Sequence, residues 1–343
     1  MAQLTVLHII PNLHIGGAQR SLFNIIKSIP TVNHVIYSKE NEWPVEDLPR
    51  AKFIDNSSHN FLDVINKINP NLVHFQWWPA YELPNFNILR SRFRWKFKIL
   101  VTIQDPATIN NNSADYYVSC GEYVDSLQKK VVSNDKRTVI PDYIDLRKFI
   151  NIKKIRHNGI NVVRHSMIFP NKINREILVN TQNNLKCINE KYTSLKTRFI
   201  ICGDGETYRE KIVKFIQEKN LNLIDLRWGS EINRVLSMGD IFLYNTPSFE
   251  SEGYANVISE AEAVGLPIIA DNRGGNIEQI EDGKNGFLIN NFDEQKKALI
   301  QLLDINKRIN FAKASRKLVL QTGGLQSLGN RYLKVYQYLI RNR

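Results

Sequence analysis

The chain has 343 residues, of which 43% are hydrophobic and 23% charged, and its formal net charge is +12. This length exceeds what one core usually supports, so two domains are expected, and the composition excludes a disordered or low-complexity protein. The positive charge is uneven: residues 151–200 carry 10 Lys and Arg against 2 acids, and the last 19 residues carry 4 against none. Such regions can attract a phosphorylated ligand, an anionic membrane or nucleic acid, and charge alone does not choose among the three.

The sequence is typical of a cytoplasmic protein. No apolar run approaches the ~20 residues needed to span a bilayer. The start, MAQLTVLHII, has no basic leader and too short an apolar run for a signal peptide. Three widely spaced cysteines form no metal-ligand pattern and are expected to be reduced thiols in the core: Cys120, Cys187 and Cys202.

In chain order, the first half alternates strand and helix patterns. LTVLHII (4–10) predicts a buried strand and RSLFNIIKSI (20–29) an amphipathic helix. Further strand-like segments are HVIYS, AKFID, LVHFQ, KILVTI, YYVSC and RTVIP, separated by helical or polar stretches such as NFLDVINKI. Strands that alternate with helices predict a parallel sheet with crossovers. Residues 141–158 are polar, basic and without clear periodicity, and they are interpreted as a linker.

A second series of the same kind follows the linker. Its strand candidates are NVVRHSM, TRFIICGDG, IDLRWGS, DIFLYNT, LPIIADN and GFLIN, with helices at REKIVKFIQEKN and EQKKALIQLL. The last helix, LQSLGNRYLKVYQYLIRNR, has an apolar stripe that packs on another element, and we expect it to cross back to the first domain. The predicted domains are therefore residues 1–150 with 325–343, and residues 151–324.

The stretch SEGYANVISEAEAVGLPIIADNRGG (251–275) carries the strongest site signal. It predicts a short helix from about Asn256 to Val264, ended by Gly265. The helix start would leave unpaired amides at the carboxyl ends of the strands, where a diphosphate could dock. These donors would be the amides of Gly253, Tyr254, Ala255 and Asn256. The glycines of the stretch would let the ligand come close.

Two carboxylates flank this helix start. Glu260 could accept hydrogen bonds from the vicinal hydroxyls of a ribose, and Glu252 could meet the hydroxyls of a sugar beyond the diphosphate. The alternative is that Glu252 favours the helix N-terminus by its charge and Glu260 is a surface residue. An earlier pair, Gly16 and Gly17 in IGGAQRS, could admit a phosphate or sugar, or could form only a tight turn.

This region resembles the nucleotide-binding half of retaining glycosyltransferases of the GT-B fold, in the large family numbered four in the sequence-based classification. The shared pattern is Glu, seven residues and Glu, then a small-residue helix, G-x-P, a hydrophobic strand, GG and a D-G-x-N-G turn. In this chain it comprises Glu252, Glu260, Gly265, Pro267, Gly274, Gly275, Asp282, Gly283, Asn285 and Gly286. Elsewhere, IIPNLHIGGAQRSL, IPDYIDLRKF, ICGDGE and INRVLSMGDIFLYNTPSFESEG are similar to further family segments.

The resemblance implies an α/β protein with two facing Rossmann-like domains and transfer with retention, without a protein nucleophile. The carboxyl-terminal domain would hold the main part of a nucleotide-diphosphate sugar, including contacts at the G-x-G turn that begins at Gly203. The amino-terminal domain would hold the acceptor, with its glycine loop at Gly16 and Gly17 beside the donor.

An Arg and a Lys neutralise the diphosphate in that family, and Arg164 and Lys172 match those positions best. Two fixed cations would stabilise the charge that develops as the glycosidic bond breaks. There are departures, because Val163 replaces the usual Gly and the interval between the two cations is longer than usual. Arg175 is therefore an alternative to Lys172, and a solvated basic loop is the non-functional interpretation.

Gln104 in TIQD stands where many family members have a His. A glutamine can orient a sugar or acceptor by hydrogen bonding but cannot titrate, and Gln19 is a second candidate for such a contact. His74 is interpreted as structural. No Asp-x-Asp occurs in the chain, so the acidic metal clamp of the other major glycosyltransferase fold is missing, and neither a metal nor a cofactor is expected.

RSRFRWKFK (90–98) alternates five basic residues with a serine and three aromatic residues. As a strand it could rest on an anionic membrane that carries a lipid-linked acceptor. Binding of single-stranded nucleic acid is the competing interpretation, although nothing else in the sequence favours it. A helix end followed by a strand start with solvated charges explains the segment equally well.

The sequence therefore predicts a retaining glycosyltransferase that uses a nucleotide-diphosphate sugar. Family analogy suggests an acceptor on a glycan or lipid-linked glycan of a bacterial surface polysaccharide, such as capsule or lipopolysaccharide, at the inner face of the plasma membrane. The alternatives are a catalytically idle GT-B binding subunit and a nucleotide-sugar epimerase. The donor sugar, the linkage and the oligomeric state are not predicted.

Overall fold

The computed structural model describes residues 3–14, 16–41, 50–76, 86, 89, 91, 97–109, 114–249 and 251–342. The chain forms two compact units: unit 1 is Met1–Ile144 with Gly323–Arg343, and unit 2 is Asp145–Thr322. The predicted boundaries, 150/151 and 324/325, lie a few residues away from these. Residues 145–150 belong to unit 2 because they bond to it: the Arg316 guanidinium donates to the Ile150 carbonyl.

Unit 1 is built on a parallel sheet. Its strands are β1 (Thr5–Leu13), β2 (Asn33–Asn41), β3 (Lys52–Asp55), β4 (Leu72–Gln76), β5 (Lys98–Ile103), β6 (Tyr116–Ser119) and β7 (Arg137–Val139). Their order in the sheet is β3-β2-β1-β4-β5-β6-β7. Continuous apolar segments are typical of such strands, since both faces of a parallel sheet are covered, and all of β4 is buried.

Unit 2 repeats this architecture with a different sequence. Its strands are β8 (Ile160–His165), β9 (Thr197–Cys202), β10 (Ile224–Arg227), β11 (Ile241–Tyr244), β12 (Ile268–Asp271) and β13 (Gly286–Ile289). They form a parallel sheet in the order β10-β9-β8-β11-β12-β13. Each strand segment predicted from the sequence overlaps one of the observed strands.

Helices lie between the strands, as parallel pairing requires. They are α1 (Gly17–Ser28), α2 (Phe61–Ile68), α3 (Glu122–Gln128), α4 (Arg175–Lys191), α5 (Glu206–Glu218), α6 (Ile232–Met238), α7 (Asn256–Val264), α8 (Asn276–Gln279), α9 (Phe292–Gln301), α10 (Ile305–Gln321) and α11 (Gly324–Arg341). No helix was predicted from the sequence at α3, α4, α6, α8 or α10. Helix α10 buries only Phe311, Ser315 and Val319, so its apolar stripe is too thin to be evident in the sequence.

The last helix, α11, packs on the sheet of unit 1, as predicted. Its apolar stripe joins a core cluster with residues of β1, β4, β5 and β6: Val6, Leu72, Leu100, Val118, Leu328, Tyr332, Val335, Tyr336 and Leu339. Gly329 allows α11 to approach α1 closely, because a Cβ there would lie 2.4 Å from the Ser28 carbonyl oxygen. The end of the chain is therefore part of the core of unit 1.

A buried histidine cluster lies under this helix. His8 Nε2 is 2.9 Å from His34 Nδ1, and His74 bonds to Tyr336 Oη at 3.1 Å and to Thr102 Oγ1 at 2.7 Å. Burial lowers the pKa of His74 to about 3 and also lowers the pKa of both other imidazoles. The interpretation of His74 as structural agrees with this packing.

The structure also bears on the predictions for the cysteines, for residues 90–98 and for membrane-spanning segments. Cys120 and Cys202 are buried, but Cys187 is exposed, because it lies on the outer face of α4; the prediction of a core position is wrong for it. Most of RSRFRWKFK lies outside the described residues, so its predicted membrane contact stays a prediction. Within the described part of the chain, no helix is long and apolar enough to cross a membrane.

Candidate active site

Three neighbouring strands of unit 2 end at one edge of its sheet. β8 ends at His165, β11 at Tyr244 and β12 at Asp271. Because parallel strands place their carboxyl ends together, the side chains and loops that follow them converge. Helix α7 comes after β11, and its last residue is followed by Gly265, whose φ of +79° ends the helix as predicted.

The loop before α7 is fixed by the glycine pair Gly274 and Gly275. The Gly275 amide donates to the Glu252 carbonyl at 2.8 Å, and a Cβ on Gly275 would lie 2.0 Å from the Gly253 carbonyl oxygen. Gly274 has a φ of +59°, a conformation that favours glycine. The pair therefore lets two protein segments meet and so positions Glu252, whereas the sequence analysis had assigned these glycines to the approach of a ligand.

The start of α7 is only partly available to a ligand. The amide of Ala255 donates to Gln279 Oε1 at 3.0 Å, and Gln279 Nε2 donates back to the Ala255 carbonyl at 3.0 Å. The prediction that this amide is a free donor is therefore wrong. Asn256 is the first helical residue, so its amide has no acceptor within the helix. Gly253 and Tyr254 precede the cap in the same loop.

Glu252 is the centre of a charged cluster. Lys172 Nζ lies 2.5 Å from Glu252 Oε1, and the Tyr244 hydroxyl donates to the same oxygen at 2.7 Å. Burial alone would raise the pKa of Glu252, but the Lys172 ammonium and the hydrogen bonds from Lys172 and Tyr244 outweigh it, and this pKa is lowered. Glu252 is therefore an anion at neutral pH, paired with the predicted catalytic lysine.

Arg164 supports this cluster from inside the unit. Its guanidinium is fully buried and donates to three protein oxygens, the carbonyls of Asn245 and Lys172 and the hydroxyl of Ser166. It also lies 4.7 Å from the centre of the Tyr244 ring. Burial lowers the pKa of Arg164. In this arrangement Arg164 positions Lys172 and Tyr244, and its contact with a diphosphate stays a prediction.

The departures from the family pattern have local explanations. Val163 is a buried residue of β8, and a Cβ on Gly239 would lie 2.5 Å from its Cγ2. Gly239 thus makes room for the valine. Arg175, the alternative to Lys172, begins α4 and lies 5.0 Å from the centre of the Phe215 ring. Between the two candidates, the structure brings Lys172 to Glu252.

The second predicted carboxylate, Glu260, faces a histidine. Glu260 Oε2 lies 3.0 Å from His165 Nε2, and the two side chains are 2% and 7% exposed. The alternative interpretation of Glu260 as a surface residue is therefore wrong. His165 was not predicted as a site residue, although it directly follows Arg164 at the end of a predicted strand.

A further carboxylate, Asp271, was also missed. It accepts a hydrogen bond from the Thr246 amide at 2.7 Å and from Asn245 Nδ2 at 3.1 Å, and it pairs with Arg273 at 2.8 Å. These bonds tie the segment after β11 to the end of β12. Asp271 therefore holds the loop that leads toward Glu252.

The G-x-G turn begins at Gly203, after β9. A Cβ on Gly203 would lie 1.9 Å from the Ser166 carbonyl oxygen, so packing alone requires a glycine. The Gly203 carbonyl accepts from Arg209 Nε at 3.2 Å, and Arg209 lies 3.5 Å from the centre of the Trp228 ring. The indole of Trp228, which the sequence analysis did not single out, is 57% exposed beside this turn.

In unit 1, the predicted glycine loop forms the start of α1. A Cβ on Gly16 would lie 2.7 Å from Gln19 Oε1, whereas a Cβ on Gly17 would meet nothing within 4 Å. Gln19 is buried and donates to the carbonyl and the side-chain oxygen of Asn12 at 3.3 Å and 3.1 Å. The protein therefore holds Gln19 in place, and the open space lies at Gly17.

Gln104 follows β5 and is bound to a buried carboxyl group. Its Nε2 donates to Asp142 Oδ2 at 2.7 Å, and Ser21 Oγ donates to Asp142 Oδ1 at 2.6 Å. Burial raises the pKa of Asp142 to about 6, against the effect of these two bonds. Gln104 Oε1 is buried without a hydrogen-bond partner among the described residues. Asp142 was not predicted from the sequence.

A metal site was not expected from the sequence. In the ranges that the structure describes, no group of three or more His, Cys, Asp or Glu side chains could hold a metal ion.

The sequence of unit 2 matches a known family. Residues 182–318 match the model for glycosyl transferases group 1. Spore coat protein SA of Bacillus subtilis (strain 168) is 36% identical over 126 residues, which cover 36% of this chain and 33% of that protein. The UDP-Gal:alpha-D-GlcNAc-diphosphoundecaprenol alpha-1,3-galactosyltransferase of Escherichia coli is 32% identical over 182 residues, which cover 49% of this chain and 46% of that protein. The chain thus spans a third to a half of the length of these curated relatives.

Solved structures match over nearly the whole chain. A glycosyltransferase from Rickettsia africae ESF-5 has a TM-score of 0.79 at 18% identity, with 100% of both chains covered. Anabaena Alr3699/HepE in complex with UDP and glucose has a TM-score of 0.76 at 16% identity, with 98% of this chain and 100% of that chain covered. At these identities the likeness shows the fold, and it confirms the predicted α/β class.

Proposed function

The chain is a GT-B protein of the glycosyl transferases group 1 family, and from this premise we propose that it is a retaining glycosyltransferase. It would move a sugar from a nucleotide-diphosphate sugar to an acceptor hydroxyl. The observation that carries the proposal is the cluster of Glu252, Lys172 and Tyr244 beside the start of α7. A cation for a phosphate and a carboxylate for sugar hydroxyls lie together there, where a helix start offers amides.

In the proposed reaction, the acceptor oxygen forms a bond to the anomeric carbon on the face that the diphosphate leaves. The bond between that carbon and the diphosphate oxygen breaks, and the acceptor proton passes to the leaving phosphate. No protein nucleophile is needed, and no metal or cofactor is assigned. Lys172 would neutralise the charge that develops on the diphosphate, while Glu252 would hold hydroxyls of the transferred sugar.

The ion pair of Lys172 and Glu252 prepares both groups for this role. Each is already oriented and largely removed from water, with exposures of 27% and 16%. When the donor binds, the contact between Lys172 and Glu252 would be replaced by two others. Lys172 would contact the donor phosphate, and Glu252 would contact the sugar hydroxyls. Arg164 would act through its bonds to the Lys172 carbonyl and its contact with Tyr244, so that the cluster keeps its shape when the donor binds.

The nucleotide would be held nearby in unit 2. Glu260, with His165 at its Oε2, would accept the ribose hydroxyls. The amides of Gly253, Tyr254 and Asn256 would contact the diphosphate, together with the turn at Gly203. The exposed indole of Trp228 would stack on the base.

Unit 1 would provide uncharged contacts. The open space at Gly17 suits the close approach of a phosphate or sugar. Gln104, whose Oε1 has a free acceptor position among the described residues, would orient a hydroxyl, and Gln19 would support the glycine loop. The Escherichia coli relative, named for transfer to a diphosphoundecaprenol-linked sugar, favours a glycan or lipid-linked glycan of a bacterial surface polysaccharide as the acceptor, at the inner face of the plasma membrane.

One experiment separates the proposal from its alternatives. The protein is incubated with a panel of nucleotide-diphosphate sugars, with and without chelator, and the nucleotide and sugar products are followed. A transferase releases nucleoside diphosphate by slow hydrolysis or by transfer, with chelator present. An epimerase isomerises the sugar without release, and an idle subunit does neither, so either outcome would overturn the proposal.

A further inference from the structure

Helix α10 of unit 2 has an outer face in which apolar and basic side chains alternate. Its buried residues are Phe311, Ser315 and Val319. The opposite side exposes three large aliphatic residues, Ile305 at 55%, Ile309 at 44% and Leu320 at 47%. It also exposes three cations, Lys313, Arg316 and Lys317. At ~100° per residue these six side chains fall within an arc of about 120°.

The charge of this face is concentrated and of one sign. Helix α10 carries five Lys and Arg and no acid, and residues 145–156 carry five Lys and Arg and one Asp. The bond from Arg316 to the Ile150 carbonyl makes the two segments neighbours in unit 2. Together they are 29 residues, and they carry nine of the twelve net positive charges of the chain.

The surface has room for a small anionic group. An open recess of about 520 Å³ is lined by Lys313, Arg316, Lys317, Leu320 and Gln321. In the neighbouring segment, Ile155 is 47% exposed and lies next to the exposed cation Arg156, with exposed Lys153 two residues before it. Aliphatic side chains next to cations thus recur across the surface that we call the α10 face, namely residues 145–156 and the exposed side of α10.

We propose that the α10 face is a docking surface for an anionic phospholipid bilayer. A bilayer surface accepts both kinds of side chain, because lipid phosphates attract the cations while the acyl boundary takes up isoleucine and leucine. Single-stranded nucleic acid would use aromatic side chains for stacking, and none of the exposed residues of α10 is aromatic. This contact does not depend on the transfer reaction, and it differs from the predicted contact at residues 90–98.

The test is co-sedimentation of the full chain with vesicles of phosphatidylcholine, with and without phosphatidylglycerol. The wild-type protein is expected to bind only the anionic vesicles. The double variant Lys313→Glu, Lys317→Glu should bind them at least roughly tenfold more weakly, since each cation near an anionic surface contributes roughly a factor of five. The matched control is Lys211→Glu, Lys219→Glu, which makes the same change at exposed positions in and just after α5 and should lose less than roughly threefold.

A second variant tests the apolar part of the surface. Ile309→Ser with Leu320→Ser keeps every charge and should weaken binding to anionic vesicles most clearly at high salt, where the electrostatic part is screened. Thermal unfolding of each variant establishes that it is folded. Equal loss in the α10 and control variants would overturn the proposal. Vesicle binding that is abolished by charge removal at residues 90–98 and unaffected by the α10 variants would also overturn it. The same holds if the α10 variants lose binding to a soluble polyanion but bind anionic vesicles like the wild-type protein.

Discussion

The carboxyl edges of the two sheets have different chemistry. In unit 2, ionisable side chains lie there in bonded pairs, namely Lys172 with Glu252, His165 with Glu260 and Arg273 with Asp271. In unit 1, two of the described side chains at the corresponding edge are amides, Gln19 and Gln104, and Gln104 is bonded to a buried carboxyl group, Asp142, whose pKa is raised to about 6. Under the proposed function, the same parallel architecture would bind a charged ligand in one unit and neutral hydroxyl groups in the other, because a few residues after the strands decide the chemistry.

The two edges also differ in how they are held. In unit 2, backbone contacts between residues 252–253 and the glycine pair 274–275 fix the loop. In unit 1, the glycine loop has open space at Gly17, and side-chain bonds hold Gln19 and Gln104. A substitution that adds one methyl group should therefore lower stability at the glycine pair of unit 2 but not at Gly17 of unit 1.

The largest effect is expected at Glu252. In Glu252→Gln, the carboxylate that pairs with Lys172 is lost, so turnover should fall by roughly 10²–10³-fold. Nucleoside diphosphate affinity should change by less than about threefold, because in the proposed function Glu252 contacts the sugar and not the nucleotide. Steady-state kinetics and calorimetry measure the two quantities. Glu190→Gln, an exposed carboxylate of unit 2, is the control; unchanged turnover in Glu252→Gln would contradict the assigned role.

The next effect contrasts two glycines. In Gly275→Ala the new Cβ would meet the Gly253 carbonyl at 2.0 Å, which should lower the free energy of unfolding of unit 2 by roughly 1–3 kcal/mol and reduce turnover by displacing Glu252. Gly17→Ala meets no atom within 4 Å and should leave stability unchanged while raising the donor KM. Urea unfolding and kinetics measure both variants. A destabilised Gly17→Ala with a normal KM would remove the contrast.

A loss of stability between pH 6.5 and about pH 5 is expected in unit 1. His74 has a pKa of about 3 in the native state and 6.5 when exposed. Below pH 6.5 the unfolded chain therefore binds more protons than the native state, and the free energy of unfolding decreases as the pH decreases. Between pH 6.5 and about pH 5 this group alone costs about 2 kcal/mol. Protonation of Asp142, below its pKa of about 6, stabilises the native state and offsets part of the loss.

Tryptophan fluorescence can follow this loss in unit 1. Four of the five tryptophans lie in residues 1–144, so urea unfolding of a Trp228→Phe protein reports mainly on that unit. A series from pH 7 downward should show the decline, and His74→Gln should flatten it. If the two proteins have the same pH dependence, the histidine cluster is not its source.

The smallest effect concerns the base. Trp228→Ala should weaken nucleoside diphosphate binding by about tenfold, because a stacked base is worth roughly 1–3 kcal/mol. Trp228→Phe should restore most of the affinity, and Gln104→Leu in unit 1 should leave it unchanged. Calorimetric titration gives these affinities. Normal binding by Trp228→Ala would place the base elsewhere.

The strands and the final helix could be predicted because continuous or periodic apolar residues identify them directly. The helix start at Asn256 and its end at Gly265 could also be predicted, because local residues such as the terminal glycine indicate them. Helix α10 was not, since its outer face mixes isoleucine and leucine with lysine and arginine. Periodicity fails where a helix exposes apolar residues.

Glu252, Glu260, Lys172 and Arg164 were candidates from the sequence, but their pairing was not predictable. Glu252 and Lys172 are 80 residues apart in sequence, and only the fold brings them within 2.5 Å. Gln279 occupies the Ala255 amide through packing of α8 against the start of α7, which no local pattern encodes. The buried states of Arg164 and Glu260 likewise depend on the elements that cover them.

The central claim is that Lys172, at the charged edge of unit 2, binds the diphosphate and that Gln104 of unit 1 does not. The most direct test is calorimetric titration of the wild-type, Lys172→Met and Gln104→Leu proteins with nucleoside diphosphates and with the same nucleosides without phosphate. We predict that Lys172→Met weakens diphosphate binding by at least roughly tenfold without affecting the nucleoside, while Gln104→Leu changes neither. Equal affinities for the diphosphate in the wild-type and Lys172→Met proteins, or a loss confined to Gln104→Leu, would contradict the claim.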